Sequence, residues 1–214
     1  MNRVFGRIVV KDDRDNKFRL ASQQSATELK QKYWRSTWKG NQLEEPACIG
    51  FAWNGWLTNA PFKQFLNPLG IYNLAKFFDE WAGEEYSGTS VRAGAKVLKI
   101  LGYIKEYRWG FTIDEVVNAL LTTGPVVVGT NWYESMSGST GLITIKGKIE
   151  GGHAYYLNGV DKRKELIRMQ NSWGSLWGNK GTASITFKDF ERLLSEDGEA
   201  CIGIESQVKL EDYV

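Results

Sequence analysis

Four side chains in this 214-residue chain have types and spacings suited to acyl-transfer chemistry: Cys48, His153, Asn171 and Gln42. A thiol attacks as its thiolate, so a nucleophilic cysteine needs a lowered pKa. Cys48 follows Pro46 and Ala47 and opens a run in which Cys48, Phe51, Ala52 and Trp56 share one face at helical steps. A proline is tolerated at a helix start. The unpaired N–H groups of a first helical turn, together with the helix dipole, favour negative charge on a side chain placed there. The competing reading is a buried, inert thiol, since free cysteine is among the most buried residue types.

His153 is the chain's only histidine, so imidazole acid–base chemistry near neutral pH has one candidate. It lies in Glu150-Gly151-Gly152-His153-Ala154, at the mouth of an expected strand, and the two glycines leave room for another chain to approach. A purely structural histidine is the alternative. Asn171 opens the string Asn171-Ser172-Trp173-Gly174-Ser175-Leu176-Trp177-Gly178. A neutral amide can accept from an imidazole N–H and fix the ring, with Trp173 laid over that bond to exclude water. Gln42, six residues before Cys48, offers an amide N–H that could share an oxyanion with the Cys48 backbone N–H. Two cysteines and one histidine lie far apart without CxxC or HxxxH spacing, so no metal or other cofactor is expected.

Positioning these groups requires helices first and strands second. Helical spacing predicts segments from Ala47, over Ile71–Ala82 with Ile71, Leu74, Ala75, Phe78 and Trp81 inward, and from Ser90 to Leu101 with a stop at Gly102. A fourth begins at a Thr112/Glu115 capping box and ends before Gly124-Pro125. Beyond Pro125, β-branched or alternating runs predict strands at 126–130, 142–145, 154–160, 166–170 and 183–187, after a short one near 7–10. That order implies an α+β chain in two lobes: a helical lobe over about 40–123 and a sheet lobe over about 124–214, the N-terminal segment packing across and the site in the cleft between them.

Composition sets the remaining bounds. An apolar fraction of 42% with 13% aromatics supports a sizeable core. Residues 1–39 hold ten Lys/Arg against four acids, but Asp12, Asp13 and Asp15 interrupt them, and a solvated mixed-charge surface is the simpler reading than a nucleic-acid patch. Two cysteines make no disulfide framework, and Cys201 reads as a core thiol. No run reaches the about 18 apolar residues of a membrane span. The N-terminus has no signal-peptide core, so the expected location is cytoplasmic, or within a virion if the source is viral. Oligomeric state is not legible.

The combined pattern resembles the papain-like cysteine peptidases. The resemblance rests on Gln42-x5-Cys48 entering a helix, Gly152-His153-Ala154 entering a strand, and Asn171-Ser172-Trp173-Gly174-x2-Trp177-Gly178, in the family's order, with Ser87-Gly88-Thr89-Ser90 and Gly124-Pro125-Val126 as further echoes. It implies the papain-like two-lobe fold, a peptide or protein substrate, and the roles of nucleophile for Cys48, base for His153, orienter for Asn171 and oxyanion donor for Gln42. It also implies substrate contacts at Gly88, Gly151, Gly152 and Trp173, and suggests a pocket wall from Trp132, Tyr133 and Met136. Glu45 and Ile49 occupy positions where the family signature has Cys and an aromatic residue, and the Cys48-to-His153 interval is shorter than the roughly 130–150 residues of that signature. The chain is thus similar to the compact, disulfide-free members found in bacteria, archaea and their viruses. Fewer than 50 residues precede Cys48, so the expectation is that no N-terminal inhibitory segment holds activity back. A catalytically silent binding or virion module on the same scaffold is the alternative function.

Overall fold

A computed structural model describes residues 4–20, 29–83 and 85–205. Seven strands form one antiparallel sheet in the order β2 (Ile104–Gly110), β7 (Glu199–Glu205), β3 (Val126–Tyr133), β4 (Ile149–Asp161), β5 (Leu166–Gln170) and β6 (Thr182–Thr186), with β1 (Gln31–Tyr33) paired to β4 off this path. Three helices, α1 (Cys48–Leu57), α2 (Pro68–Phe78) and α3 (Val91–Ile100), pack together on one side. Helix α4 (Ile113–Thr122), the short α5 (Glu134–Ser137) and α6 (Phe187–Ser195) complete the fold.

Every residue of α1 is buried. A helix apolar all round belongs at the centre of a fold, and α1 runs between α2 and α3 on one side and β3 and β4 on the other. Its two indoles each find a partner: Trp53 Nε1 donates to the Val91 carbonyl at 3.0 Å and Trp56 Nε1 to the Pro125 carbonyl at 2.9 Å. Losing either side chain from such a site costs about 3–5 kcal/mol.

The core has two main parts. One joins α1 and α3 to Val127, Ala154, Tyr156 and Cys201 of the sheet; the other joins α4, α6 and the remaining sheet around Trp132, Tyr155 and Phe190. Strand β2 joins the sheet by pairing with β7, with its Ile104 and Trp109 in the first of these parts, and α4 packs in the second, although sequence order put both in the helical half.

The expected Thr112/Glu115 capping box of α4 is complete, with the Thr112 N–H donating to Glu115 Oε2 at 3.1 Å, and Asn67 and Ser90 cap α2 and α3. Three expectations need correction. Helix α2 stops at Phe78, and Leu74 faces solvent. Leu142–Ile145 makes only a single bridge, Leu142 to Ser184. Near Arg7 there is likewise one bridge, to Thr89. Both cysteines are free. Among the described residues no helix is long and apolar enough to cross a membrane, and no group of three or more His, Cys, Asp or Glu is arranged to hold a metal ion.

Candidate active site

Cys48 is the first residue of α1, with Ala47 as N-cap and Pro46 just before it. His153 lies in β4 opposite Thr130 of β3, at the edge where the sheet meets α1. The two come together through the backbone: Ala154, next to His153, directs its N–H at the Cys48 sulfur.

Asn171 follows β5 directly. Its Oδ1 accepts from the Ser172 N–H at 2.7 Å and lies 2.8 Å from His153 Nε2. An oxygen that already accepts from a backbone amide is an acceptor, so Nε2 carries the ring proton and Nδ1 is the basic nitrogen. Aromatic rings hold the imidazole on its other faces. Trp173 lies 4.8 Å away at 33°, Trp132 4.8 Å away edge-on, and Tyr155 6.2 Å away. Trp132 and Met136 have no exposed surface and Tyr133 very little. Trp132 is thus a support for His153 and part of the sheet core, in place of the cleft wall expected for these three residues.

Gln42 is 1% exposed and fixed by Ser172, a residue sequence reasoning passed over as part of a turn. Ser172 Oγ donates to Gln42 Oε1 at 2.6 Å, and the Gln42 backbone N–H donates to the Ser172 carbonyl at 2.8 Å. This directs the Gln42 amide nitrogen away from Ser172. It donates to the carbonyls of Glu45 at 2.8 Å and Val4 at 3.2 Å.

Val4 belongs to an N-terminal segment, residues 4–10, that packs across the site. Its Gly6 N–H points at the Cys48 sulfur. Arg7 N–H donates to the Gly152 carbonyl at 3.0 Å, Ile8 N–H to the Thr89 carbonyl at 2.9 Å, and Thr89 N–H to the Gly6 carbonyl at 2.9 Å. Phe5 stands edge-on to His153 at 5.9 Å and to Trp173 at 6.1 Å. The expected contact glycines explain the fit. A Cβ on Gly152 would lie 2.5 Å from the Arg7 carbonyl oxygen, one on Gly151 2.8 Å from the Phe5 ring, and one on Gly88 2.5 Å from the Gly6 carbonyl oxygen. The chain for which Gly151 and Gly152 leave room is, in this structure, the protein's own N-terminal segment.

Beneath it Cys48 has no exposed surface. Burial pushes the thiol up to about 11, against the N–H groups of Ala154, Gly6 and Ile49 and the charge of Arg7, all of which favour the thiolate. The expectation of a lowered thiol pKa is corrected for this closed state. The helix-start position is as expected, but loss of water outweighs it.

Comparison with known proteins agrees with this architecture. The model of the papain family cysteine protease matches residues 58–205, a stretch that contains His153 and Asn171 and begins after Gln42 and Cys48. An uncharacterized peptidase C1-like protein of Acanthamoeba polyphaga mimivirus is 28% identical over 125 residues, 55% of this chain and 40% of that protein. Human cathepsin O is 35% identical over 91 residues, 40% of this chain and 27% of that protein. The chain therefore aligns with less than half the length of these relatives. Among solved structures, xylellain, a cysteine protease from Xylella fastidiosa, superposes with a TM-score of 0.77 at 20% identity, covering 96% of both chains. Procathepsin L2 from Tenebrio molitor larval midgut superposes at 0.72 and 15% identity, covering 94% of this chain and 78% of its own. With the two-lobe papain-like fold shared along nearly its whole length and the family match spanning most of its residues, the chain belongs to the papain family of cysteine proteases.

Proposed function

We propose that the chain cleaves peptide bonds through a thioacyl intermediate on Cys48, once the N-terminal segment has left the cleft. The Cys48 proton passes to His153 Nδ1, and the sulfur attacks the amide carbonyl carbon. The resulting oxyanion takes hydrogen bonds from the Cys48 backbone N–H and from Gln42 Nε2, which departure of Val4 frees. As the C–N bond breaks, His153 gives its proton to the leaving amine. Water then attacks the thioester with His153 as base, releasing the carboxylic acid and restoring the thiol. Asn171 keeps the proton on Nε2 throughout, so that Nδ1 is the nitrogen that cycles.

The observation that carries this reading is the His153–Asn171 bond at 2.8 Å, with Asn171 Oδ1 polarised as an acceptor by Ser172 N–H, beside a strand amide that meets the Cys48 sulfur. Gly88, Gly151, Gly152 and Trp173 contribute main chain and a flat ring along which an extended substrate can lie. Complete burial of the sulfur is the observation that favours a silent module on the same scaffold. The two readings separate by experiment. Cys48→Ala should abolish hydrolysis of a quenched-peptide library and labelling by an epoxysuccinyl thiol trap while circular dichroism stays unchanged. Hydrolysis that survives the substitution removes Cys48 from the mechanism.

A further inference from the structure

On the helical side of the cleft an extended chain pairs with Thr89, whose N–H and C=O are both taken by the N-terminal segment. Thr89 belongs to neither flanking helix. It lies in the connection between the end of α2 at Phe78 and the start of α3 at Val91. A binding group carried on a loop is only as well placed as the contacts behind it. Both cysteines are free, so no disulfide fastens this connection. Gly88, just before Thr89, sits at φ +92°, where glycine turns freely and adds no stiffness of its own.

What fastens the connection is Asp79, the C-cap of α2. Each of its carboxylate oxygens accepts a hydroxyl: Tyr86 Oη donates to Oδ1 at 2.5 Å and Thr89 Oγ1 donates to Oδ2 at 2.7 Å. Oδ1 also accepts from the Trp81 N–H at 3.2 Å, which fixes the carboxylate in its own turn. Hydrogen bonds to an ionised acceptor are stronger than those between neutral groups. Thr89 is therefore held from behind: its side chain reaches back to Asp79 while its main chain serves the cleft, and it has no exposed surface. Tyr72 of α2 adds a second hold, its hydroxyl accepting from the Gly88 N–H at 3.1 Å. Lys76, one helical turn from both Tyr72 and Asp79, places its ammonium 4.8 Å from the centre of the Tyr86 ring and 5.9 Å from that of Tyr72.

We propose that Asp79 is a positioning residue for the substrate: through the Tyr86 and Thr89 hydroxyls it holds the Thr89 main chain at the separation from Gly152 that an extended peptide spans. The proposal rests on the peptidase reading of the site. The N-terminal segment shows that separation in use, with Arg7 N–H on the Gly152 carbonyl and Ile8 N–H on the Thr89 carbonyl. Asp79 bonds to its own connection and not to Cys48, His153 or Asn171. Its loss therefore falls on the pairing of a peptide backbone and leaves the bond-breaking step as it was.

The test is Asp79→Ala in the full chain, read with two substrates. One is a quenched peptide long enough to run along Thr89; the other is an acetyl ester with an activated leaving group, whose acyl part has no amide to pair. Departure of the N-terminal segment precedes both reactions, so the peptide-to-ester ratio of kcat/KM cancels any loosening of that segment. The ratio should fall by about tenfold, the worth of one backbone hydrogen bond, through a higher peptide KM with peptide kcat kept. Tyr86→Phe, which removes one hydroxyl and keeps the ring, should shift the ratio the same way by less, and serves if Asp79→Ala folds poorly. Added to Asp79→Ala it should change nothing further. A second readout needs no turnover. Thr89 also holds the N-terminal segment, so Asp79→Ala should speed capture of Cys48 by iodoacetamide by about tenfold, with Cys201 still unlabelled. Faster capture from a chain that hydrolyses neither substrate would keep the positioning role and refute the peptidase reading. A folded variant whose peptide-to-ester ratio is unchanged, or falls through kcat alone, overturns the proposal; where nothing is hydrolysed, an unchanged capture rate does so.

Discussion

Replacing Gly6 by alanine should release the segment that closes the site. A Cβ on Gly6 would lie 1.9 Å from the Pro46 carbonyl oxygen, a distance no real contact tolerates. Pro46 is backbone, fixed two residues before Cys48 at the start of a fully buried helix, so it cannot yield. The segment must move instead, and with it go the bonds from Arg7 to Gly152, from Ile8 to Thr89 and from Thr89 to Gly6. At a net value of about 1 kcal/mol each, these three are worth about 3 kcal/mol together, or about a hundredfold in the ratio of open to closed molecules. The assay is alkylation of Cys48 by iodoacetamide, followed by intact mass and peptide mapping. Wild-type Cys48 should react slowly and keep accelerating as pH rises toward about 11, because deprotonation of the buried thiol is what limits it. Gly6→Ala should react about a hundredfold faster near neutral pH, or reach the ceiling of a fully open site. Cys201, buried in the same core, should stay unlabelled in both proteins and so reports any loss of fold. Equal Cys48 rates in the two folded proteins would refute the idea that Gly6 holds the segment on the sulfur.

Other expectations follow from the same geometry. Asn171→Ala removes the acceptor for His153 Nε2, and kcat should fall by about ten- to a hundredfold, the cost of one buried unpaired group, with circular dichroism and KM little changed. Ser172→Ala removes the hydroxyl that turns the Gln42 amide; kcat in an open-cleft background should drop by about tenfold, and a Gln42→Ala, Ser172→Ala double variant should be no worse than Gln42→Ala alone.

Much of the site was legible because its signals are local. Cys48 after Pro46-Ala47, the capping box of α4 and the Asn171-Ser172-Trp173-Gly174 string each declare a conformation within a few residues. The paired glycines before His153 correctly indicated a close-approaching chain. What they could not indicate was which chain, since Arg7 and Glu199 lie 192 positions apart and meet only through the sheet. The thiol's raised pKa was hidden for the same reason: it depends on Gly6 covering the sulfur, not on the helix that presents it. Helix α6 had a readable start in Thr186 and Asp189, where the Asp189 N–H meets the Thr186 hydroxyl at 3.0 Å, yet its apolar face was masked by charged neighbours. Strands β2 and β7 alternate too weakly to stand out alone, and it is their pairing with each other and with β3 that makes them strands. The basic excess of residues 1–39 is in part paired with acids, buried Arg7 with Glu199 and half-exposed Arg19 with Glu115.

The most direct test of the central claim is a rapid-quench experiment on the Gly6→Ala chain with an activated amino-acid ester. The account predicts an added acyl mass within the first turnover, mapped to Cys48, decaying as the carboxylic acid appears, and absent when Cys48 is alanine. Product formed at an unchanged rate with no acyl mass on Cys48, or turnover that persists without that sulfur, would contradict it.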